Sequence, residues 1–180
     1  MLKRIINRIR NIDSEKEYRL KQGLKLGKNS YVNSWDGIDA MYPWLIAIGN
    51  DVVISSDVTI LAHDASTCRV GCHTKIGRVN IGNNVFIGAK SIVLCNTNIG
   101  DNVIVGAGSV VTKDLESNAV YAGNPAVRIC SFEEYKQKNQ IGNAERPYLS
   151  EIRRWDDWHN ATDEEKERMI ELLSDGYGYI

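Results

Sequence analysis

From Ile81 to Glu116 the apolar positions return at an interval of six. The successive blocks read IGNNVF, IGAKSI, VLCNTN, IGDNVI, VGAGSV and VTKDLE, and each opens on Ile or Val: Ile81, Ile87, Val93, Ile99, Val105 and Val111. Gly follows in four of them, at Gly82, Gly88, Gly100 and Gly106, and a small or apolar residue fills the fifth place, as in Val85, Ser91, Val103 and Ser109. A helix needs an apolar residue about every 3.6 positions and a half-buried strand every second one. A period of six satisfies neither and marks a solenoid. Each hexad is expected to form one short strand and one turn, and three hexads to close a triangular rung of about 18 residues, stacked on the next at about 4.8 Å. The branched first residue points into the prism. Gly at the second place lets the chain turn without a Cβ clash, and Asn83, Asn84, Asp101 and Asn102 at the third and fourth places tolerate turn conformations.

The period also runs, more weakly, ahead of this stretch. Leu26, Val32 and Ile38 suggest an irregular first rung, and Ile48, Ile54 and Ile60 a second, running to about Ala65. The phase is then lost, because Ile60 and Ile81 are 21 positions apart. The segment between, containing DASTCRVGCHT, is expected to leave one corner of the prism as a loop over about 64–75, with His63 at its root. Insertions in a solenoid gather on one face, often the binding face. Two other patterns flank the coil. In MLKRIINRIRNID, Leu2, Ile5, Ile6, Ile9 and Ile12 share one helical face and Lys3, Arg4, Arg8 and Arg10 the other. Residues 1–23 are therefore expected to begin as an amphipathic basic helix, which docks on the body or on a neighbouring subunit, or rests on an anionic membrane surface. Residues 131–180 carry an acidic excess and two capping-box patterns, Ser131 to Glu134 and Thr162 to Glu165, that predict two short helices. Trp155, Trp158 and His159 lie between them as packing residues or a carbohydrate platform. The expected organisation is 1–23, a coil over 24–130, and a helical extension over 131–180.

Composition narrows the function. A net charge of −1 gives no global basic field for nucleic acid. Cys68, Cys72, Cys95 and Cys130 are too few and too irregular for a disulfide framework, which points to a reduced, cytoplasmic setting. No stretch approaches the roughly 20 apolar residues of a membrane span, and no apolar signal-peptide core follows the basic start.

The ending of the repeat, GAGSVV at 106–111 followed by AGNPAVRI at 122–129, resembles that of the hexapeptide-repeat acyltransferases that use acetyl-CoA. YPWLIAIGNDVVIS (42–55) with ILAHD (60–64) is similar to the corresponding part of bacterial sugar and polysaccharide O-acetyltransferases. The resemblance implies a mainly β fold, a left-handed parallel β-helix with a protruding loop and a C-terminal helical extension. It implies acetyl-CoA as co-substrate, no metal, a homotrimer, and a sugar or polysaccharide acceptor. The inner face of the membrane becomes a second candidate location, near lipid-linked sugars.

Acyl transfer to a hydroxyl needs a base that works near neutral pH, and His is the side chain suited to it. In the family, a His at the place of His63 is the general base. Asp64, its neighbour on a strand, points to the other side, so a backbone carbonyl or another acid is expected to orient the ring. His73 is the alternative base. Cys68 and Cys72 read as loop packing rather than as a covalent nucleophile, and no GxSxG motif is present. For the cofactor, the resemblance implies Ala89 and Ala107 beside extended pantetheine, with Thr112, Lys113 and Arg128 at the CoA end. Phe86 stands where relatives often carry Trp. Three other readings share the scaffold: N-acetylation of an amino-sugar nucleotide, a metalloenzyme like the γ-type carbonic anhydrases, and a non-catalytic solenoid. The metalloenzyme is disfavoured because His63, His73 and His159 lack the spacing of a three-His zinc site.

Overall fold

The structure is a computed structural model that describes residues 14–145, 160–174, 176, 177 and 179. The expected basic face of residues 1–13 and the Trp155, Trp158 and His159 group lie outside the described residues. The chain divides into two compact units, one ending at Phe132 and the other beginning at Glu133.

In the first unit, residues 14–21 are helical (α1), and the coil follows. Its first turn holds β1 (Lys25–Leu26), β2 (Tyr31–Val32) and a single bridge at Ile38. The second holds β3 (Ile46–Ile48), β4 (Val53–Ile54) and β5 (Thr59–Ile60). An arm, β6 (His63–Asp64) and β7 (Lys75–Ile76), interrupts the winding. The third turn is β8 (Val79–Ile81), β9 (Val85–Ile87) and β10 (Ile92–Val93), and the fourth β11 (Thr97–Ile99), β12 (Val103–Val105) and β13 (Val110–Val111). A bridge at Leu115 and β14 (Ala119–Ala122) begin a fifth, and β15 (Val127–Ser131) turns back antiparallel on β14. Corresponding strands of successive turns pair in parallel and build three sheets, β1-β3-β8-β11, β2-β4-β9-β12-β14 and β5-β10-β13, with β15 on the edge of the second. This is the left-handed parallel β-helix.

The period of six becomes three columns of stacked side chains. Leu26, Ile48, Ile81, Ile99 and Leu115 are partners in one. Val32, Ile54, Ile87, Val105 and Tyr121 form the second. Ile38, Ile60, Val93 and Val111 form the third. All but Leu26 are buried. Each full burial of such a side chain is worth roughly 1.5–3 kcal/mol. Ser91 and Ser109, at fifth places, are buried and donate to the Gly106 carbonyl at 3.0 and 2.6 Å.

The corner between the first and second sheets shows why each turn residue is there. The fourth-place residues Asn29, Asp51, Asn84, Asn102 and Asn118 all adopt left-handed φ values between 53° and 61°, which Asn and Asp tolerate best among residues with a Cβ. The third-place residues form a ladder up the edge. Asn83 Oδ1 accepts from the Asn50 backbone and side chain at 3.0 Å each, and Asp101 Oδ1 accepts from the Asn83 backbone at 2.6 Å and its side chain at 3.0 Å. The second-place glycines answer a different demand from the one expected. Gly82 does not have a positive φ. A Cβ there would sit 2.4 Å from Asp101 Oδ1 and 2.8 Å from the Gly100 carbonyl carbon. Contact with the turn above, and not the sharpness of its own turn, excludes a side chain.

Register measures the excess chain. Between turns three and four, partners lie 18 positions apart, as in Ile81 and Ile99. Between turns two and three the step is 33, from Ile48 to Ile81, so fifteen residues are interposed. Between turns one and two it is 22, from Leu26 to Ile48, an excess of four.

Directly after Ser131, α2 (Phe132–Glu145) carries the chain into the second unit, where α3 (Asp163–Leu172) is capped at its N-terminus by the predicted capping box. Thr162 Oγ1 accepts from Glu165 N at 3.2 Å and Glu165 Oε2 accepts from Thr162 N at 2.7 Å. Among the described residues no helix is long and apolar enough to cross a membrane.

Candidate functional site

Both excess segments leave the coil at the end of the third sheet, one turn apart. The four extra residues follow Ile38 and the fifteen follow Ile60. Ile38 and Ile60 are themselves bridge partners, so the two segments meet at one corner. Their meeting is the contact between Asp39 and His63.

His63 lies on the first strand of the arm, opposite Ile76, and Asp64 lies opposite Lys75. Beyond them the chain makes a short 3-10 helix, Ser66–Val70, ended by Gly71 at φ 78°. Asp64 braces this arm: it accepts from Ser66 N at 2.9 Å and approaches Lys75 Nζ at 4.0 Å. Those contacts with Ser66 hold its exposed carboxyl below the usual range. The ring of His63 is held by another acid. Nδ1 donates to Asp39 Oδ2 at 2.5 Å.

Asp39 is the residue around which the corner is built. Its side chain has no exposure, whereas that of His63 keeps 24 %. Oδ2 also accepts from Ala62 N at 2.9 Å, and Oδ1 accepts from Met41 N at 2.8 Å and Tyr42 N at 3.2 Å. Burial pushes this carboxyl up. The bonds from His63, Ala62, Met41 and Tyr42 outweigh burial and hold it below the usual carboxylate range. An ionised carboxylate only accepts, so the proton it receives must be on Nδ1. In the neutral ring that arrangement leaves the lone pair on Nε2.

Neighbouring groups fix the rest. The Tyr42 ring lies 5.4 Å from the His63 ring, and Trp44 meets Tyr42 edge-on at 5.6 Å. Beneath, the buried Arg19 of α1 donates through Nε to the Ile38 carbonyl at 2.7 Å, pinning the residue before Asp39, and pairs with Glu15.

Of the other sequence-predicted residues, Ala89 and Ala107 stand one above the other at the turns entering the third sheet, where Gly108 N donates to the Ala89 carbonyl at 2.8 Å. Ala107 and Gly108 are exposed, and a Cβ on Gly108 would meet nothing within 4 Å. Thr112 and Lys113 are exposed just after β13, on the opposite edge of that sheet. Arg128 is exposed on β15, paired with Tyr121 in the second sheet. His73 is exposed on the arm, and its carbonyl accepts from Thr67 Oγ1 at 2.6 Å. Cys68 and Cys72 are exposed thiols on the arm, and Cys68 Sγ lies 3.4 Å from Thr74 Oγ1. Among the described residues no cluster of three or more His, Cys, Asp or Glu could hold a metal ion.

A coil of parallel hexads, broken by an arm that sets a carboxylate-held His on its edge, defines a hexapeptide-repeat solenoid. Residues 78–113 match the family described as bacterial transferase hexapeptide (six repeats). Protein CapG of Staphylococcus aureus is 43% identical over 134 residues, covering 72% of this chain and 77% of the relative. The putative acetyltransferase YvoF of Bacillus subtilis (strain 168) is 35% identical over 121 residues, 67% of this chain and 68% of the relative. Among solved structures, a galactoside acetyltransferase in complex with coenzyme A superposes with a TM-score of 0.50 at 26% identity, over 64% of this chain and 65% of that one. A hexapeptide-repeat acetyltransferase from Vibrio cholerae shares the fold, with a TM-score of 0.53 at 18% identity over 67% of this chain and 90% of that one. The chain belongs to the bacterial hexapeptide-repeat transferases, and it is an acyltransferase.

Proposed function

We propose that the protein moves the acetyl group of acetyl-CoA onto a hydroxyl of a sugar in a bacterial surface polysaccharide or its precursor, with His63 as general base and the chain assembled as a homotrimer. The observation that carries this reading is the Asp39–His63 pair. It binds the ring through Nδ1 and so turns Nε2 away from Asp39, on a side chain that is partly exposed and cannot rotate without breaking its bond to a buried carboxylate. The similarity to a galactoside acetyltransferase in complex with coenzyme A supports both the sugar and the acyl donor.

When bound, acetyl-CoA supplies an acyl thioester. Nε2 accepts the proton of the acceptor hydroxyl as that oxygen attacks the acyl carbon. Asp39 steadies the imidazolium, its charge matched across the Nδ1 bond. Nε2 then gives the proton to the departing sulfur. The donor residues are proposed to be Ala89 and Ala107, with Thr112, Lys113 and Arg128 at the phosphate-bearing end. The open ledge at Ala107 and Gly108 fits an extended chain passing close to backbone, and the two exposed cations suit phosphates.

The test is release of CoA thiol from acetyl-CoA in the presence of a panel of sugars, nucleotide sugars and oligosaccharides, with His63→Ala alongside. Acceptor-dependent release that falls at least a hundredfold in the variant, with acetyl-CoA still bound, is the expected result. Undiminished activity in the variant would move the base elsewhere. No release with any acceptor would sink the transferase reading for sugars.

A further inference from the structure

We propose that Tyr42 and Trp44 form the platform on which the sugar ring of the acceptor stacks. The inference rests on the sugar-acceptor reading above and adds to it the surface that holds the ring against His63. An exposed aromatic is unremarkable on a loose loop, but Trp44 is not on one. It occupies the middle of the 3-10 turn Pro43–Leu45, where Pro43 is buried and Leu45 packs against the core. Trp44 is the member of that turn left facing out, with 53 % of its surface exposed.

Its root is fitted from below. Gly23, which ends the helical segment at φ 102°, leaves room for it: a Cβ on Gly23 would come within 3.1 Å of the Trp44 Cβ. Its ring is braced from the side by Tyr42, edge-on at an interplanar angle of 71°. Tyr42 in turn lies against the imidazole. Tyr42 thus touches both the imidazole and the indole.

One carboxylate sets their spacing. Asp39 Oδ2 holds His63, and Oδ1 holds the backbone N–H groups of Met41 and Tyr42, where the chain enters the turn that carries Trp44. The platform and the base are therefore fixed to the same buried atom group.

The chemistry of such a surface selects its occupant. A pyranose ring has an apolar face of C–H bonds and a rim of hydroxyls. The face complements the electron-rich surface of an indole or phenol, and the rim stays free, so that one hydroxyl can turn toward Nε2. A flexible acyclic alcohol would gain little from the same surface.

Trp44→Ala and Trp44→Phe, assayed with the best sugar of the panel, test the proposal. Because the side chain is exposed, folding is expected to survive both changes. The expected result is a rise of about tenfold in KM for the sugar in Trp44→Ala, an unchanged KM for acetyl-CoA, and recovery of most of the loss in Trp44→Phe. Intrinsic fluorescence should respond to the sugar in the wild type and lose most of that response in Trp44→Phe. A wild-type KM for the sugar in Trp44→Ala overturns the platform while leaving the transferase reading intact. So does a change in oligomeric mass by light scattering, which would make Trp44 a subunit contact. A wild type that accepts no sugar at all removes the sugar-acceptor reading, and the platform with it.

Discussion

Replacing Asp39 by Asn changes one atom in shape and two bonds in chemistry, and the consequences can be worked through. The carboxylate takes four donors: Met41 N and Tyr42 N on Oδ1, Ala62 N and His63 Nδ1 on Oδ2. An Asn that keeps its oxygen toward Met41 and Tyr42 turns its amino group toward Ala62 and His63. The Ala62 N–H then faces another donor in a buried place, at a cost of about 1–3 kcal/mol. The His63 ring can meet the new N–H only by accepting at Nδ1, which moves its own proton to Nε2. Nε2, the nitrogen proposed as the base, would then be capped by hydrogen and unable to act as one. In Ser-His-Asp hydrolases the equivalent Asp-to-Asn change costs about 10⁴ in kcat through the same exchange of tautomer. For a direct transfer without a covalent intermediate, roughly 10²- to 10⁴-fold is the expected range. The assay is steady-state CoA release for wild type, Asp39→Asn and Asp39→Glu, with thermal unfolding of each. The expected pattern is a fall in kcat with little change in KM for acetyl-CoA, a fold that survives with a lower midpoint, and partial recovery in Asp39→Glu. A kcat for Asp39→Asn within threefold of wild type, in a folded protein, would refute the role given to the pair.

Two further outcomes follow from packing and charge. Ile87 is fully buried between Ile54 and Val105 in the second column, so Ile87→Ala should lower stability by about 2–5 kcal/mol in urea unfolding, and a loss under about 1 kcal/mol would mean that the column is not closely packed. The Asp39 carboxyl is held below the usual range, so its contribution to stability is complete above the ordinary Asp pKa of about 3.9 and is lost only as pH falls through the lowered folded value. The stability gap between wild type and Asp39→Asn should therefore not close above about pH 4, and closure between pH 6 and 5 would contradict the shift.

Much of the coil was legible because its information is local and repeated. Ile81, Ile87, Val93, Ile99, Val105 and Val111 recur at six, and the structure stacks them in columns. The capping box at Thr162 and Glu165 spans three residues and was equally readable. The loss of phase after Ile60 marked the arm. The function of Gly82 was harder, because the atoms that exclude its side chain belong to Gly100 and Asp101, one turn above. Asp39 was missed outright. Its bond to His63 joins residues 24 apart, and the pairing exists because an excess of four residues after Ile38 sits one turn below the excess of fifteen after Ile60. The signal was available in the run Leu26, Val32, Ile38: an acid follows the last of these at the same phase as the residues after Ile60. Tyr42 and Trp44 carried no periodic mark, since they lie in that same excess. The donor-side residues came from resemblance, and only the small side chains at Ala89 and Ala107 have a reason visible in the coil itself.

The arithmetic of the register has a consequence for how such a protein can change. The step of 33 between turns two and three is the same at all three faces, from Ile48 to Ile81, Ile54 to Ile87 and Ile60 to Val93. The coil resumes its stacking as though the arm were absent. Closing a longer or shorter arm costs little, about 0.6 kcal/mol for a doubling of length. Recombination could therefore exchange this segment whole between relatives, provided that the His and its neighbours are kept at the point of departure. The ledge at Ala107 and Gly108 lies on later turns and would pass through such an exchange untouched. One half of the enzyme would be inherited as a chassis, and the other traded as a part.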